Sequence, residues 1–274
     1  MKKRRALLLP LLVLLLVVSI PVGFLVHEYR RTQRNFALIT AINAGDTQAT
    51  LDALKGGAEA NARDYWYTGA DDELPLSFGQ RLRQFFKHGL HPNASSETHE
   101  TALLINLNNS HVDNPKLTQA LLDAGADPNL KDDRGMTPLM RAAIGDEVQS
   151  LPLLLQYGGN PQQKGLDGET VLHYAAIHDN PEVIAWLLDA GADINAQDRD
   201  GETPLHKACH EESLHVVQQL LQRHANLNLR TKSGHTPLDW ALIGENTDHP
   251  THIVGPLRAA GAKTGKELDA EAKH

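Results

Sequence analysis

Histidine and glutamate residues at helical spacing are the first feature of this chain that could support chemistry. The chain contains 15 histidines, and His206, His210 and Glu211 lie close together in the sequence. On a helix, His206 and His210 would share one face. Imidazole and carboxylate groups in such a pattern are typical zinc ligands. The sequence therefore raises the hypothesis of a metal-binding or enzymatic protein.

The residues that carry catalysis in other proteins do not form a recognisable motif here. The sequence contains no G-x-S-x-G nucleophile elbow, no H-E-x-x-H zinc motif, no Walker phosphate loop and no C-x-x-C pair. Because Cys209 is the only cysteine, no disulfide can form within the chain. We therefore expect no enzyme, no catalytic residue, no bound metal and no cofactor.

The elements that position these side chains recur along the chain. One short sequence, Gly-x-Thr-x-Leu, begins at positions 33 residues apart, at Gly135, Gly168, Gly201 and Gly234. A second sequence, a leucine pair followed by a turn, has the same period and begins at Leu121, Leu154, Leu187 and Leu220. Two independent sequences with one period predict a stacked repeat architecture.

Each repeat has the features of two short helices. Thr203 can cap a first helix with its hydroxyl group, and Pro204 suits the first helical position. Small inward residues follow, such as Ala208 and Cys209, so that a second helix can approach closely. The leucine pair fills the space between neighbouring repeats, and a glycine then ends the second helix. One such repeat cannot bury its own apolar face, so stacking must stabilise it.

At these residues the chain resembles the ankyrin repeat family, whose T-P-L-H and L-L-x-x-G-A-D-x-N signatures it matches closely. The resemblance implies an all-α repeat solenoid of stacked ankyrin-like helix-turn-helix units with β-turn fingers. It also implies that His173 and His206 form a structural hydrogen bond between neighbouring repeats instead of binding a metal.

We expect about seven repeats over residues 36–262. Residues 36–61 indicate a first repeat that lacks the leading turn and serves as an N-terminal cap. The second repeat is degenerate, with an irregular loop at residues 65–77, because Gly69 and Pro75 interrupt its first helix. Residues 263–274 are expected to form a charged tail that frays.

A basic head and a long apolar stretch open the chain. Four Lys or Arg residues within residues 1–5 precede residues 6–26, where 16 of 21 residues are Leu, Val, Ile or Phe. At about 1.5 Å per residue, this stretch is long enough for a hydrocarbon core of about 30 Å. The basic head favours a cytoplasmic N-terminus. The sequence predicts a single transmembrane signal anchor over residues 6–26, in contact with the lipid bilayer, followed by a juxtamembrane linker over residues 27–35.

This reading places the protein in the inner (plasma) membrane as a single-pass protein, with its repeats on the periplasmic or extracellular side. Two alternatives remain open. Val17, Val18 and Ser19 resemble a signal-peptide cleavage site, and cleavage would give a secreted or periplasmic protein. A buried core helix is the other alternative.

The charge of the chain restricts its partners. The net charge is −8, with 26 basic residues, four of them in the head, against 34 acidic residues. An acidic surface repels nucleic acid and anionic lipid. We therefore expect no nucleic-acid binding, and a basic protein partner would suit this charge.

Two surfaces are candidates for partner binding. The resemblance to ankyrin repeats places a concave surface on the finger turns and adjoining first helices; its expected residues are Arg134, Met136, Asp167, Glu169, His178, Arg199, Asp200, Glu202, His210, Glu211 and His235. The second candidate is the loop at residues 65–77, because aromatic residues are enriched among interface hot spots. Its expected residues are Tyr65, Trp66, Tyr67, Asp71 and Asp72. The aromatic residues could instead fold back over the weakened second repeat.

Three functions from different classes follow. We favour a non-enzymatic protein–protein interaction module, anchored in the membrane, that binds or inhibits a protein partner and serves an immunity or envelope-protection role. The alternatives are a structural or stress-related envelope component, and a metal-binding or enzymatic repeat protein.

Overall fold

The structure is a computed structural model that describes residues 26–62, 100–108, 114–144, 149–244 and 252–273. Among these residues, no helix combines the length and the apolar character needed to cross a membrane. Except for Val26, the predicted signal anchor lies outside the described residues. The chain divides into two compact units, residues 1–102 and residues 103–274, called the N-terminal and C-terminal units below.

The N-terminal unit contains two described helices. Helix α1 covers residues 26–43, so the predicted linker at 27–35 is helical, and α2 is Thr47–Lys55. Asp46 caps α2 by accepting a hydrogen bond from the Ala49 N–H group. Arg31 pairs with Glu59, with a distance of 2.6 Å from Nε to Oε1. Hydrogen bonds to Arg31 lower the pKa of Glu59.

The helices that follow alternate between the first and second positions of a repeat. The first helices are α3 (Ala102–Asn108), α5 (Pro138–Ile144), α7 (Val171–Ala175), α9 (Pro204–His210) and α11 (Pro237–Gly244). The second helices are α4 (Pro115–Asp123), α6 (Ser150–Gln156), α8 (Pro181–Asp189), α10 (Leu214–Gln222) and α12 (Val254–Ala259). A further helix, α13 (Gly265–Glu271), follows the last repeat.

Within the C-terminal unit, these helices stack in chain order. The first helices α5, α7, α9 and α11 each pack against the next, and each also packs against the second helix of its own repeat. Their inward leucines are buried; Leu139, Leu172, Leu205 and Leu238 are at most 1% exposed. Cys209 is also only 1% exposed, as its alanine-like position predicts. The predicted stack of helix pairs is therefore confirmed within the C-terminal unit.

The turns between repeats also pair with each other. Within one turn, the Asp198 N–H group donates to the Glu202 carbonyl oxygen at 3.0 Å. Between turns, the Arg199 N–H group donates to the Asp167 carbonyl oxygen and the Lys232 N–H group donates to the Asp200 carbonyl oxygen, both at 2.8 Å. Backbone hydrogen bonds thus hold the turns in the same register as the helices.

Helix α13 occupies part of the region for which the sequence predicts a fraying, charged tail. Thr264 and Glu267 form a reciprocal capping box at its start. Hydrogen bonds from Arg258 and from the Thr264 N–H group lower the pKa of Glu267 to about 2. Arg230 reaches Asp269 at 2.8 Å from the preceding turn. The charges therefore hold this helix against the last repeat, whereas the sequence predicts a charged tail that frays.

Candidate protein-binding surface

Two buried histidines connect neighbouring repeats. His173 Nδ1 accepts a hydrogen bond from the Thr170 N–H group, and its Nε2–H group donates to the Glu202 carbonyl oxygen, both at 3.0 Å. In the next repeat, His206 Nδ1 accepts a hydrogen bond from the Thr203 N–H group at 3.0 Å, and its Nε2–H group donates to the His235 carbonyl oxygen at 3.2 Å. The structural hydrogen bond implied by the family resemblance is therefore confirmed at both positions.

This geometry argues against a metal site at His206. Both of its ring nitrogens are already hydrogen bonded, and burial lowers its pKa. His210, the other half of the candidate pair, is exposed and bonded through Nδ1 to Glu211 at 2.9 Å. Within the described part of the chain, no group of three or more His, Cys, Asp or Glu residues is arranged to hold a metal ion.

The last repeat uses a carboxylate at the position of these histidines. Asp239 Oδ2 accepts hydrogen bonds from the Thr236 N–H group and from the Gly265 N–H group, both at 2.8 Å. Although burial opposes it, these hydrogen bonds lower the pKa of Asp239. Asp239, at the position that histidine occupies in the two preceding repeats, thus connects the last repeat to the start of α13 instead of to a further repeat.

A lysine that the sequence analysis did not single out gathers carboxylates from two repeats. Lys207 Nζ lies 2.6 Å from Glu202, 3.1 Å from Glu169 and 3.4 Å from Asp198. Burial by itself would lower the pKa of Lys207, but its hydrogen bonds with Glu202 and Glu169 outweigh burial and raise it. The structure therefore brings Glu169 and Glu202, both predicted for the binding surface, onto one cation.

Two other predicted residues meet on a tryptophan. The His210 and Trp240 rings make an edge-to-face contact with centroids 5.1 Å apart. His235 lies on the same indole at 6.2 Å. Since His210 belongs to α9 and Trp240 to α11, this contact joins the outer faces of two successive first helices.

Met136, which the family resemblance places on the binding surface, is buried and only 7% exposed. Asp132 Oδ1 accepts the Met136 N–H group at 2.8 Å and Asp132 Oδ2 pairs with Arg141 at 2.7 Å.

The remaining predicted residues fall into three groups. Arg134, Asp167, Arg199, Asp200 and Glu211 are exposed, and Arg199 pairs with Asp167 at 3.3 Å. His178 is half-buried. The candidate loop residues Tyr65, Trp66, Tyr67, Asp71 and Asp72 lie outside the described residues. The structure therefore describes the residues of the first candidate surface and not those of the second.

The sequence analysis missed one row of side chains on this surface. We call it the helix-face row; it occupies one position in four successive first helices and consists of Arg141, Tyr174, Lys207 and Trp240. All four are half-buried. Burial and a hydrogen bond to Glu169 raise the pKa of Tyr174. The 33-residue spacing of the row was a readable signal, because equivalent positions in stacked repeats become spatial neighbours.

Comparison with known families agrees with this geometry. Residues 106–198 match a family model described as ankyrin repeats (3 copies), and residues 187–241 match one described as ankyrin repeats (many copies). The fold and these matches together support an ankyrin repeat protein. Ankyrin repeats generally mediate protein–protein interaction and are typically non-enzymatic. No curated protein matches the chain.

Proposed function

We propose that this protein is a non-enzymatic binding module that grips a protein partner with its finger turns and the outer faces of its first helices. One observation carries the proposal: the helix-face row presents a different side chain in each repeat, on helices whose buried framework is repeated. Buried positions repeat because stacking requires them to, whereas the helix-face positions differ from one repeat to the next.

The charge of the turns adds a preference among partners. Asp167 and Asp200 are exposed at successive turns, and Glu211 is exposed at the end of α9. Asp167 pairs with the exposed Arg199, and Lys207 on α9 is engaged by three other carboxylates. A partner with a basic surface would therefore meet a complementary charge here.

Site-specific photo-cross-linking tests the binding surface. A photoreactive amino acid would replace Asp200 or Arg134 in the full chain, expressed in its source cells, and Gln218 on α10 would serve as the matched exposed control. We expect one protein adduct from the two surface positions and none from the control. Adducts of equal yield from all three positions, or from none, would contradict the proposed surface.

We further propose that residues 6–26 anchor the protein in the inner or plasma membrane, with the repeats on the periplasmic or extracellular side. The support is the length and apolar character of this stretch behind a basic head. Alkaline carbonate extraction and protease accessibility of intact spheroplasts test this placement. Extraction of the protein into the supernatant, or protection of the repeats from protease, would refute it.

We propose that binding of the partner protein serves an immunity or envelope-protection role. It depends on the exported location and on the binding surface together. Deleting the gene should sensitise cells to an envelope-directed toxin or stress, and re-expression of the full chain should restore resistance. Unchanged sensitivity across such challenges would remove this role and leave the binding function intact.

A further inference from the structure

Large apolar side chains are exposed at one repeated position of the C-terminal unit. Ile144, Ile177 and Ile243 are 41%, 38% and 54% exposed. These isoleucines lie at, beside or just after the ends of the first helices α5, α7 and α11, at intervals of 33 and 66 residues. The equivalent residue of α9 is the exposed His210. We call these four residues the isoleucine row. Single exposed apolar residues are ordinary, but recurrence at one structural position indicates a continuous surface.

Contacts between repeats show that this row is continuous. Each first helix packs on the next, and His210 touches the Trp240 ring of the following helix. The Ser213 hydroxyl group donates to the Ile177 carbonyl oxygen at 3.0 Å, which holds the end of α7 beside the start of α10. Trp240 lies three residues before Ile243 on α11, so it borders the row on the same helix face.

Negative charge accompanies the row. Glu211 and Glu212 are exposed immediately after His210, and Asp179, two residues after Ile177, is exposed and pairs with His215 at 2.6 Å. The row also lies at the carboxyl ends of parallel first helices, where helix dipoles favour cations. The basic members of the adjoining helix-face row are occupied, because Arg141 pairs with Asp132 and Lys207 pairs with three carboxylates. An apolar partner surface flanked by basic residues fits this pattern.

The distance between successive residues of the isoleucine row indicates which conformation of a partner segment fits it. Packed helices lie about 8–10 Å apart. Seven residues of an α-helix advance about 10.5 Å and return to nearly the same face. Same-face residues of an extended strand recur at about 6.6 Å or about 13 Å, which fits the row less well.

We propose that the isoleucine row and Trp240 form the docking site for an amphipathic α-helix of a partner protein. This helix carries aliphatic side chains seven residues apart and lysine or arginine beside them. The inference rests on the proposed function and specifies the chemistry of the partner at that surface.

Selection from a displayed library of random 20-residue peptides against the full chain tests this inference. Enriched peptides should carry aliphatic residues at heptad spacing with adjacent Lys or Arg, and should become helical on binding. Ile177→Asp should weaken their binding at least tenfold. Gln218→Asp on α10, which adds the same charge on the other row of helices, should change it less than twofold.

A second variant separates binding from folding. Ile177→Ala removes the exposed side chain without adding charge, and we expect three- to tenfold weaker binding with an unchanged far-UV circular dichroism spectrum. Failure to enrich any peptide, acidic or extended selected peptides, or peptides that bind both Ile177 variants like the parent protein would overturn the inference. Peptides that ignore Ile177 but lose binding when Asp167 and Asp200 are changed to lysine would overturn it and leave the proposed function standing.

Discussion

Removing the buried His206 should reduce the loss of stability that the protein suffers on acidification. His206 is 1% exposed, and burial lowers its pKa in the folded state. Its Nδ1 accepts the Thr203 N–H group, so a proton on Nδ1 would oppose an existing donor. The neutral imidazole is therefore the form that the fold requires.

The direction of the effect follows from proton binding. An unfolded histidine has a pKa of about 6.5, so below that pH the unfolded state binds more protons than the folded state. The stabilising contribution is complete above pH 6.5 and is lost as the pH falls towards the lowered folded pKa. For a histidine that stays neutral when folded, unfolding becomes easier by about 1.2 kcal/mol between pH 7.0 and pH 5.5.

Urea unfolding of the full chain in non-ionic detergent at these two pH values, followed by far-UV circular dichroism, measures this loss. His206→Gln keeps a side-chain acceptor for the helix cap but does not titrate. We expect the variant to be less stable at pH 7.0, and its loss on acidification to be about 1.2 kcal/mol smaller than that of the parent protein.

His252→Gln, at an exposed histidine, is the control and should alter the pH dependence less. The comparison requires equal urea m-values, since repeat proteins can unfold in more than one step. If His206→Gln and the parent protein lose the same free energy on acidification, the reasoning about a buried neutral histidine is refuted.

Four further substitutions test the interactions that stabilise the repeats and α13. Lys207→Met should lower the free energy of unfolding by about 2 kcal/mol in urea titrations, because it leaves three carboxylates without their cation. His224→Gly should raise it by about 1 kcal/mol, since His224 has a φ of +62°. Gly135→Ala should lower it by about 2 kcal/mol, because φ is +73° and a Cβ atom would lie 2.9 Å from Leu166 N. Thr264→Ala should destabilise α13 by about 1 kcal/mol and speed its amide hydrogen exchange.

Three of these changes have a matched comparison. Lys207→Arg keeps the charge, Thr264→Ser keeps the capping oxygen, and both should be milder than the changes above. Gly191→Ala has a φ of +89° but meets no atom within 4 Å, so it should cost less than Gly135→Ala. Equal destabilisation by Gly135→Ala and Gly191→Ala would contradict the contact assigned at Gly135. Equal destabilisation by Lys207→Met and Lys207→Arg would contradict the ion pairs assigned to Lys207. A His224→Gly variant no more stable than the parent protein would show that backbone strain at this turn is relieved elsewhere.

Much of the fold was predictable because the relevant interactions are local. Thr203 and His206 are three residues apart, and their reciprocal hydrogen bonds form within one helical turn. The capping box of Thr264 and Glu267 is equally local, and its spacing was present in the sequence. The expectation of a fraying tail rested on the charge of the segment and did not take this capping box into account.

The binding surface was only partly predictable, because its contacts join residues from different repeats. The resemblance to ankyrin repeats placed Glu169 and Glu202 on the candidate binding surface, but it did not identify their common partner Lys207 on α9. Met136 is the opposite case. The family resemblance placed it on the binding surface, whereas in the structure it is only 7% exposed.

By itself, the sequence determined the repeat period, the helix caps, the residues that face the core and the acidic character of the chain, since these follow from side-chain type and spacing along one segment. Only the tertiary structure decided which outward side chains meet. Stacking places Trp240 beside His210 and aligns Ile177 with its counterparts, and these neighbours are set by helix packing across tens of residues of intervening chain.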